Sequence, residues 1–497
     1  MTGISQLVGL CALLVVFQAL YARYRGGLNA IPGPLSASMS NIWKVLAVYH
    51  NDTHRRNVAL HRKYGPVVRI GPNTISFSSA EALQTIHGSR QAYAKSDFYK
   101  PTSAQFEGAP LVNLFSARDI NYHSSLKRRV GSLYTKTAAQ SLEPKIDSCV
   151  SLFTQKIAAQ ISHDNPVRLN LSSWVHFFAF DCLGEINVSR KFGFLETGRD
   201  INHIIETSDH ILIKTGLCSR DMGRSIPLWK LISKSLSYNK KVLTARKYTS
   251  TVVRERLRNP TSETDMLNNF IQLRKNKPDS LSEREIIGAL YIHLMAGHDV
   301  MAVTLGAVLY YVARNPRVEE KLRHELAVLK KGQPVAFDKL TKLPYLDAVI
   351  HESLRIHGNT GLVNERVVPK GGAMIDGFHI PGGTIVGINP WVIHGNTDLF
   401  GDDVDVFRPE RWIKGPEEKI MEMRRDLFGF GAGPRMCIGK NIAMIQLFKF
   451  LAEFYSNFTA VLVDEKQEWH VVGNWVTKQT GMDMYVSRAE DYKPRNV

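Results

Sequence analysis

Cysteine is scarce in this chain: Cys11, Cys149, Cys182, Cys218 and Cys437 are the only five among 497 residues. Few, odd in number and far apart, they do not suit a disulfide framework, and a reducing compartment fits them best. A buried, inert thiol is the expected state of the first four. Acidic residues are also in deficit, 46 against 63 Lys and Arg, which leaves a formal charge of +17. Such an excess attracts anionic membrane surfaces, acidic partners or nucleic acid. Zinc-finger spacing is missing, however, and the basic residues are scattered through helical stretches without interleaved aromatics, so nucleic acid is not expected as a partner. Repeats, low-complexity blocks and long Pro/Gly/Ser linkers are absent too, which removes the usual reasons to divide the chain. At 44% hydrophobic and 22% charged, the chain has the composition of a folded protein with a large core.

Charge is missing altogether from residues 4–20, an apolar run interrupted only by Ser5, Gln6 and Gln18 and followed by Arg23 and Arg25. Its length is near the lower limit for a membrane span. A cleaved signal peptide would carry its positive charge ahead of the apolar stretch, whereas here the charges follow it. An uncleaved anchor over residues 1–25 is therefore expected, with the rest of the chain on the cytosolic side by the positive-inside tendency. Gly26, Gly27, Pro32, Gly33 and Pro34 oppose a continuous helix and mark residues 26–34 as a hinge. Residues 35–497 are then one large domain.

Most of that domain reads as helix. Val318, Leu322, Leu326 and Leu329 recur at helical spacing after Pro316, which suits a first helical turn. Residues 286–313 form the longest apolar stretch, preceded by Ser282 and Glu285 at capping-box spacing and ended by Asn315-Pro316. His293, His298 and Asp299 near its middle argue against a second membrane span, and the stretch is expected to be one helix through the core, with Gly297 thinning a face. Extended structure is expected at residues 67–77, around Gly71-Pro72-Asn73, and at residues 372–388, around Asp376-Gly377 and Pro381-Gly382-Gly383. The fold class is thus mainly α with a smaller β-rich region.

Three glycines and Arg435 crowd around one cysteine in Phe430-Gly431-Ala432-Gly433-Pro434-Arg435-Met436-Cys437-Ile438-Gly439. Glycines let backbone N–H groups approach the sulfur, and such donors favour thiolate over thiol. One thiolate without a neighbouring Cys or His cannot build a zinc cage, but it can be the single protein ligand of a haem. This loop resembles the F-x-x-G-x-R-x-C-x-G haem-binding segment of the cytochrome P450 family at every fixed position. Glu352 and Arg355 share a helix face three residues apart, as in that family's E-x-x-R helix, and Phe407-Arg408-Pro409-Glu410-Arg411-Trp412 is similar to the segment that completes the set. On spacing alone the pair would be a solvated surface contact. The resemblance instead implies that Glu352, Arg355 and Arg411 lock the fold behind the haem.

Further matches run through Lys63-Tyr64-Gly65-Pro66, Lys95-Ser96-Asp97-Phe98-Tyr99, Lys191-Phe192-Gly193-Phe194 and Pro381-Gly382-Gly383-Thr384, and resemble fungal, membrane-bound members related to pisatin demethylase. The resemblance implies the cytochrome P450 fold, haem b (iron protoporphyrin IX), Cys437 as axial ligand of the iron, and Phe430, Gly439 and Arg435 in its loop. It also implies haem carboxylate contacts from Arg366 and from the helix starting at His123, where Lys127 and Arg128 compete for the role usually held by one arginine. A solvated basic face is the alternative for Lys127 and Arg129. Lys127, Arg128, Arg129, Arg424, Arg425 and Lys440 would offer a basic surface to an acidic redox partner.

One departure matters. The family's central helix usually carries Ala/Gly-Gly-x-acid-Thr; here Ala296-Gly297-His298-Asp299 keeps glycine and acid, the implied catalytic pair Gly297 and Asp299, but Val300 and Met301 stand where alcohols are usual. Neither can donate or relay a proton to dioxygen. A substrate hydroxyl, Thr304 one turn on, or a reaction without oxygen insertion could compensate. The resemblance therefore implies a monooxygenase acting on a lipophilic specialised metabolite. Its electrons would come from NADPH through a membrane-bound flavoprotein reductase, with cytochrome b5 as a second donor, at the endoplasmic reticulum membrane. Oxidative coupling, cyclisation or rearrangement is the second reading. A haem carrier or sensor without turnover is the third, which the intact cysteine loop disfavours. Substrate contacts are implied around residues 106–115, 204–217 and 295–304, after His357, and near Trp475.

Overall fold

The computed structural model describes residues 2–89, 93–161, 165–206, 240–329, 334–466 and 468–492. Cys218 and most of the implied substrate segment 204–217 lie outside the described residues. Helix α1 spans Thr2–Tyr24, and its apolar side chains are exposed along its length. At 1.5 Å per residue it reaches about 34 Å, enough for a hydrocarbon layer. Cys11 sits on this exposed surface, in contrast to the buried state expected of it, while Cys149 and Cys182 are buried. After α1, Gly26 and Gly27 adopt φ of 73° and 72°, which no continuing helix could accept. The glycine/proline segment is nevertheless tied down. Leu28 and Ile31 are buried, Arg69 N–H donates to the Pro32 carbonyl, and the Arg69 guanidinium donates to the carbonyls of Ala22 (2.9 Å) and Arg23 (2.8 Å).

Arg69 lies on β1 (Val67–Gly71), which turns through Pro72-Asn73 into the antiparallel β2 (Thr74–Phe77). Three more strands complete this sheet: β3 (Ala94–Lys95), β4 (Asn364–Val367) and β5 (Ile385–Ile388), in the order β1-β2-β5-β4-β3, with β2 and β5 parallel. A short hairpin, Ala373–Ile375 with Phe378–Ile380, turns at Asp376 and Gly377, both at positive φ. The extended segments thus stand where the turn residues put them. Two strands near the C-terminus, β6 (His470–Gly473) and β7 (Thr477–Thr480), form a hairpin with Trp475 at its tip.

The larger part is helical, and five helices position the site: α2 (Ile120–Val130), α3 (Leu171–Val188), α4 (Glu283–Ala296), α5 (Asp299–Ala313) and α6 (Pro344–Ile356). A further helix, α7 (Lys440–Asn457), follows the cysteine loop. Pro316 opens its helix at the first turn, with Val318, Leu322 and Leu326 buried. Ser282 and Glu285 form both halves of the capping box at the start of α4.

The expected single helix over residues 286–313 is instead two helices meeting at Gly297-His298. His298 Nδ1 takes the Leu294 carbonyl at 2.7 Å, the acceptor a continuous helix would give to the His298 backbone N–H. Gly297 allows the close approach there: a Cβ at this position would stand 2.7 Å from Leu183 of α3. By length and hydropathy the pair could cross a membrane, but 56% of its apolar window is buried inside the protein. It is the central core element.

Candidate active site

Gly431 and Gly433 hold positive φ (71° and 61°) and fold the cysteine loop back on itself, so that the Cys437 N–H donates to the Phe430 carbonyl at 2.8 Å. A side chain at Gly433 would collide with the His87 carbonyl, which places the loop against the end of the helix Ala80–His87. Cys437 lies at the entry to α7. Burial pushes its thiol up, while backbone N–H groups of Gly439 and Lys440 and the charges of Lys127 and Lys440 pull it back down.

The sulfur opens on a cavity of about 470 Å³. Gly297, Val300, Met301 and Thr304 line one side, and Phe430, Arg435 and Gly439 the other. Lys95 and Arg366, facing partners on β3 and β4, close one end together with His123 and Lys127 of α2. Lys95 is the residue that sequence reasoning missed: it appeared only as part of a matched segment, with nothing to show that pairing with β4 would carry it to the site. Its amine donates to the Phe115 carbonyl and lies 4.2 Å from the ring centres of both Tyr99 and Phe115.

Lys95, Arg366, Arg435 and Lys127 press on one another at this end. Burial, and then Arg366 and Arg435, push the Lys95 amine well below its usual range. Burial followed by Arg366 takes Arg435 down to about 10. Burial, with Arg435 and Lys95 next, lowers His123 to about 3, so this residue is neutral at pH 7 and contributes no charge. The nearby Glu365 does not neutralise the cluster, being engaged by Lys44 at 3.0 Å and Ser96 at 2.6 Å. Dry, mutually repelling cations call for anions. A haem meets all the conditions of this donor set, with an apolar plane for the cavity, one iron for the thiolate and two carboxylates for the cations.

Of the competing basic residues on α2, Lys127 lines the cavity and donates to the Pro434 carbonyl at 2.6 Å. Arg128, expected as a possible carboxylate contact, is exposed and outside the cavity, because one residue turns a helix by about 100°. Arg129 does not form a solvated face; it pairs with Glu285 at 2.7 Å. The basic surface is correspondingly reduced: Arg424 is held by Asp347 and Arg425 by Asp426, both within 2.7 Å.

Asp299 is absent from the cavity wall. Its carboxylate faces Lys478 of β7 at 2.6 Å and His298 Nε2 at 3.1 Å, with His176 of α3 at 3.7 Å. Burial alone would raise this carboxyl, but the charges of His298 and Lys478 and the hydrogen bond from His298 hold it well below the usual carboxylate range. The implied proton-delivering acid is thus sequestered in an ion cluster joining three elements. Thr304 is also committed: its hydroxyl donates to the Val300 carbonyl at 2.8 Å and lies 3.2 Å from Asn359 Oδ1.

Behind the sulfur, Glu352, Arg355 and Arg411 come together completely buried. Arg355 grips Glu352 with two nitrogens (2.7 and 2.9 Å), Arg411 Nε lies 3.0 Å from both its oxygens, and Trp412 Nε1 donates at 2.9 Å. The surface-contact alternative is excluded by this burial. Arg355 also donates to the His394 carbonyl, while His394 Nε2 accepts from the Phe428 N–H at 2.9 Å, which connects the cluster to the cysteine loop. Among the implied substrate contacts, Leu114, Phe115, Met295, Thr360 and Trp475 line the cavity. Phe106 instead packs under Arg254 and Arg284.

Comparison with known proteins agrees with this geometry. The family described as Cytochrome P450 matches residues 32–484. The chain is 33% identical over 478 residues to "Cytochrome P450 monooxygenase cicH" of Emericella nidulans, covering 94% of this chain and 95% of that one. It is 34% identical over 441 residues to a "Cytochrome P450 monooxygenase" of Aspergillus terreus (84% and 87% covered), and 32% identical over 466 residues to a "Pisatin demethylase" of Fusarium vanettenii (92% and 88%). A thiol at a helix entry, a cationic end wall and a buried Glu-Arg-Arg lock over nearly the whole matched length leave one conclusion: the chain belongs to the cytochrome P450 family.

Proposed function

We propose that this monooxygenase is a haem-thiolate enzyme that oxidises a lipophilic secondary metabolite with dioxygen and electrons from NADPH. The observation that carries the reading is the Cys437 thiol opening on a cavity whose end wall is cationic. Haem b would be held through its iron by Cys437 and would supply the oxygen-reducing chemistry when bound. Gly439 and Lys440 N–H groups favour the charged form of Cys437, while Lys95, Arg366, Arg435 and Lys127 would hold the carboxylates. Val300, Met301, Leu114 and Val476 keep the reacting end apolar and exclude bulk water. Arg128 and Lys440 remain on the cysteine side for an acidic flavoprotein reductase, with cytochrome b5 as a second donor. The body is residues 35–497, held by residues 1–25 as a single-pass anchor in the endoplasmic reticulum membrane and facing the cytosol, a placement that the exposed apolar length of α1 supports.

Lys95→Met tests the cationic wall. Losing one charge-assisted contact of about 1.5–3 kcal/mol should speed haem loss from the holoprotein to apomyoglobin about ten-fold or more. An unchanged rate would remove Lys95 from the set.

A second reading has its own support: Val300 and Met301 offer no hydroxyl, Thr304 is committed and Asp299 is sequestered. Proton delivery then falls to the substrate or to water, or the reaction is coupling, cyclisation or rearrangement without oxygen insertion. Turnover under ¹⁸O₂ should leave one labelled atom in the product. Steady turnover to unlabelled product would replace the first reading by the second.

A further inference from the structure

We propose that Tyr134 and His293 form a proton-coupled electron relay on the cavity wall, with Tyr134 as a one-electron donor to the bound haem and His293 as the base that takes the phenol proton; this rests on the haem-thiolate reading above. Tyr134 ends the short helical turn Gly131–Tyr134 after α2, is buried and lines the cavity. Its carbonyl accepts from Asn441 Nδ2 of α7 at 2.8 Å, which ties it to the helix that Cys437 leads into. Burial, and then the charge of Cys437, push its phenol above the usual range, so it keeps its proton at rest.

The Tyr134 hydroxyl lies 2.7 Å from His293 Nε2 on α4, and His293 Nδ1 lies 2.6 Å from Asn187 Oδ1 on α3. Asn187 sets the direction of both bonds. Its Nδ2 donates to the Leu183 carbonyl at 2.7 Å, so Oδ1 is the atom turned to the imidazole, and it can only accept. Nδ1 therefore carries the imidazole proton, Nε2 keeps its lone pair, and the Tyr134 hydroxyl donates to it. Burial lowers His293 to about 4, which leaves the ring neutral at pH 7. A phenol that has lost an electron is a strong acid, so even this weakened base takes its proton. Phe270 packs beside both rings, 6.4 Å from Tyr134 and 6.0 Å from His293. Tyr99 lines the same cavity without this option, because its hydroxyl is hydrogen-bonded to Arg366, which has no lone pair to offer.

The relay matters when no substrate is present to consume oxidising equivalents. Hydrogen peroxide reacting at the haem-loaded site takes up two electrons and two protons and leaves as two waters. Tyr134 returns one of those electrons to the haem: its O–H bond breaks, the proton moves to His293 Nε2, and a neutral tyrosyl radical remains beside an imidazolium. One electron from a reductant reverses both transfers.

Substrate-free holoprotein that gives the thiolate-type carbon monoxide band, mixed with hydrogen peroxide and freeze-quenched, should show a tyrosyl radical by electron paramagnetic resonance, identified by its narrowing with ring-deuterated tyrosine. Tyr134→Phe and His293→Leu should each lower that signal at least about ten-fold, since a positioned base is lost in one and the donor in the other. Tyr99→Phe should retain it. Absence of a tyrosyl signal in wild type, a result that needs no variant to fold, overturns the proposal; so does a signal that survives Tyr134→Phe or His293→Leu, or one that Tyr99→Phe removes. A carbon monoxide band without a radical defeats the relay alone, whereas a missing band defeats the haem-thiolate reading and the relay with it.

Discussion

Cys437→Ala is expected to abolish the thiolate-type Soret band of the reduced, carbon monoxide-treated protein and to lower turnover by about a thousand-fold or more, a barrier change of only about 4 kcal/mol. Among the described residues no other thiol lines the cavity. Cys149 and Cys182 are buried in the helical packing and Cys11 lies on α1, so none of these reaches the cavity. The fold should survive, because the missing atom borders a cavity and the Cys437 N–H bond to the Phe430 carbonyl is retained. Circular dichroism unchanged alongside a lost band would assign the effect to ligation. A retained thiolate band would refute the assignment of Cys437.

The second large effect concerns stability. Glu352→Gln leaves two guanidinium groups, Arg355 and Arg411, facing a neutral amide in a region from which water is excluded. Breaking a buried pair from one side costs about 3–5 kcal/mol, a large part of the about 5–15 kcal/mol that holds a typical domain together. Denaturant unfolding should show that loss, and expression at 37 °C should give little haem-loaded protein. The effect should spread to the cysteine loop through His394 and Phe428. A midpoint within experimental error of wild type would reduce the cluster to an incidental contact.

Features whose chemistry is contiguous were legible in the sequence. The cysteine loop, the Glu352/Arg355 spacing, the capping box at Ser282 and the turn at Asp376-Gly377 each need only a few adjacent residues to define them. Features that depend on helix phase or on distant chain segments were not. Lys127 and Arg128 are neighbours in sequence, yet α2 directs one into the cavity and the other to solvent. Lys95 reaches the site because β3 pairs with β4, a partnership that no local pattern records. The motif supplied Asp299, but its partners Lys478 and His176 arrive from β7 and α3. The interruption at Gly297-His298 was missed because hydrophobic periodicity continues across it.

Arg69 also bears on how the protein could be trimmed for study without detergent. Deleting the greasy leader back to the glycines would strip the guanidinium of its Ala22 and Arg23 acceptors and leave a nearly buried charge under-solvated at the rim of the sheet. A shortened chain should therefore begin upstream of Ala22, with the outer turns of the leader exchanged for polar residues and the last turn left intact.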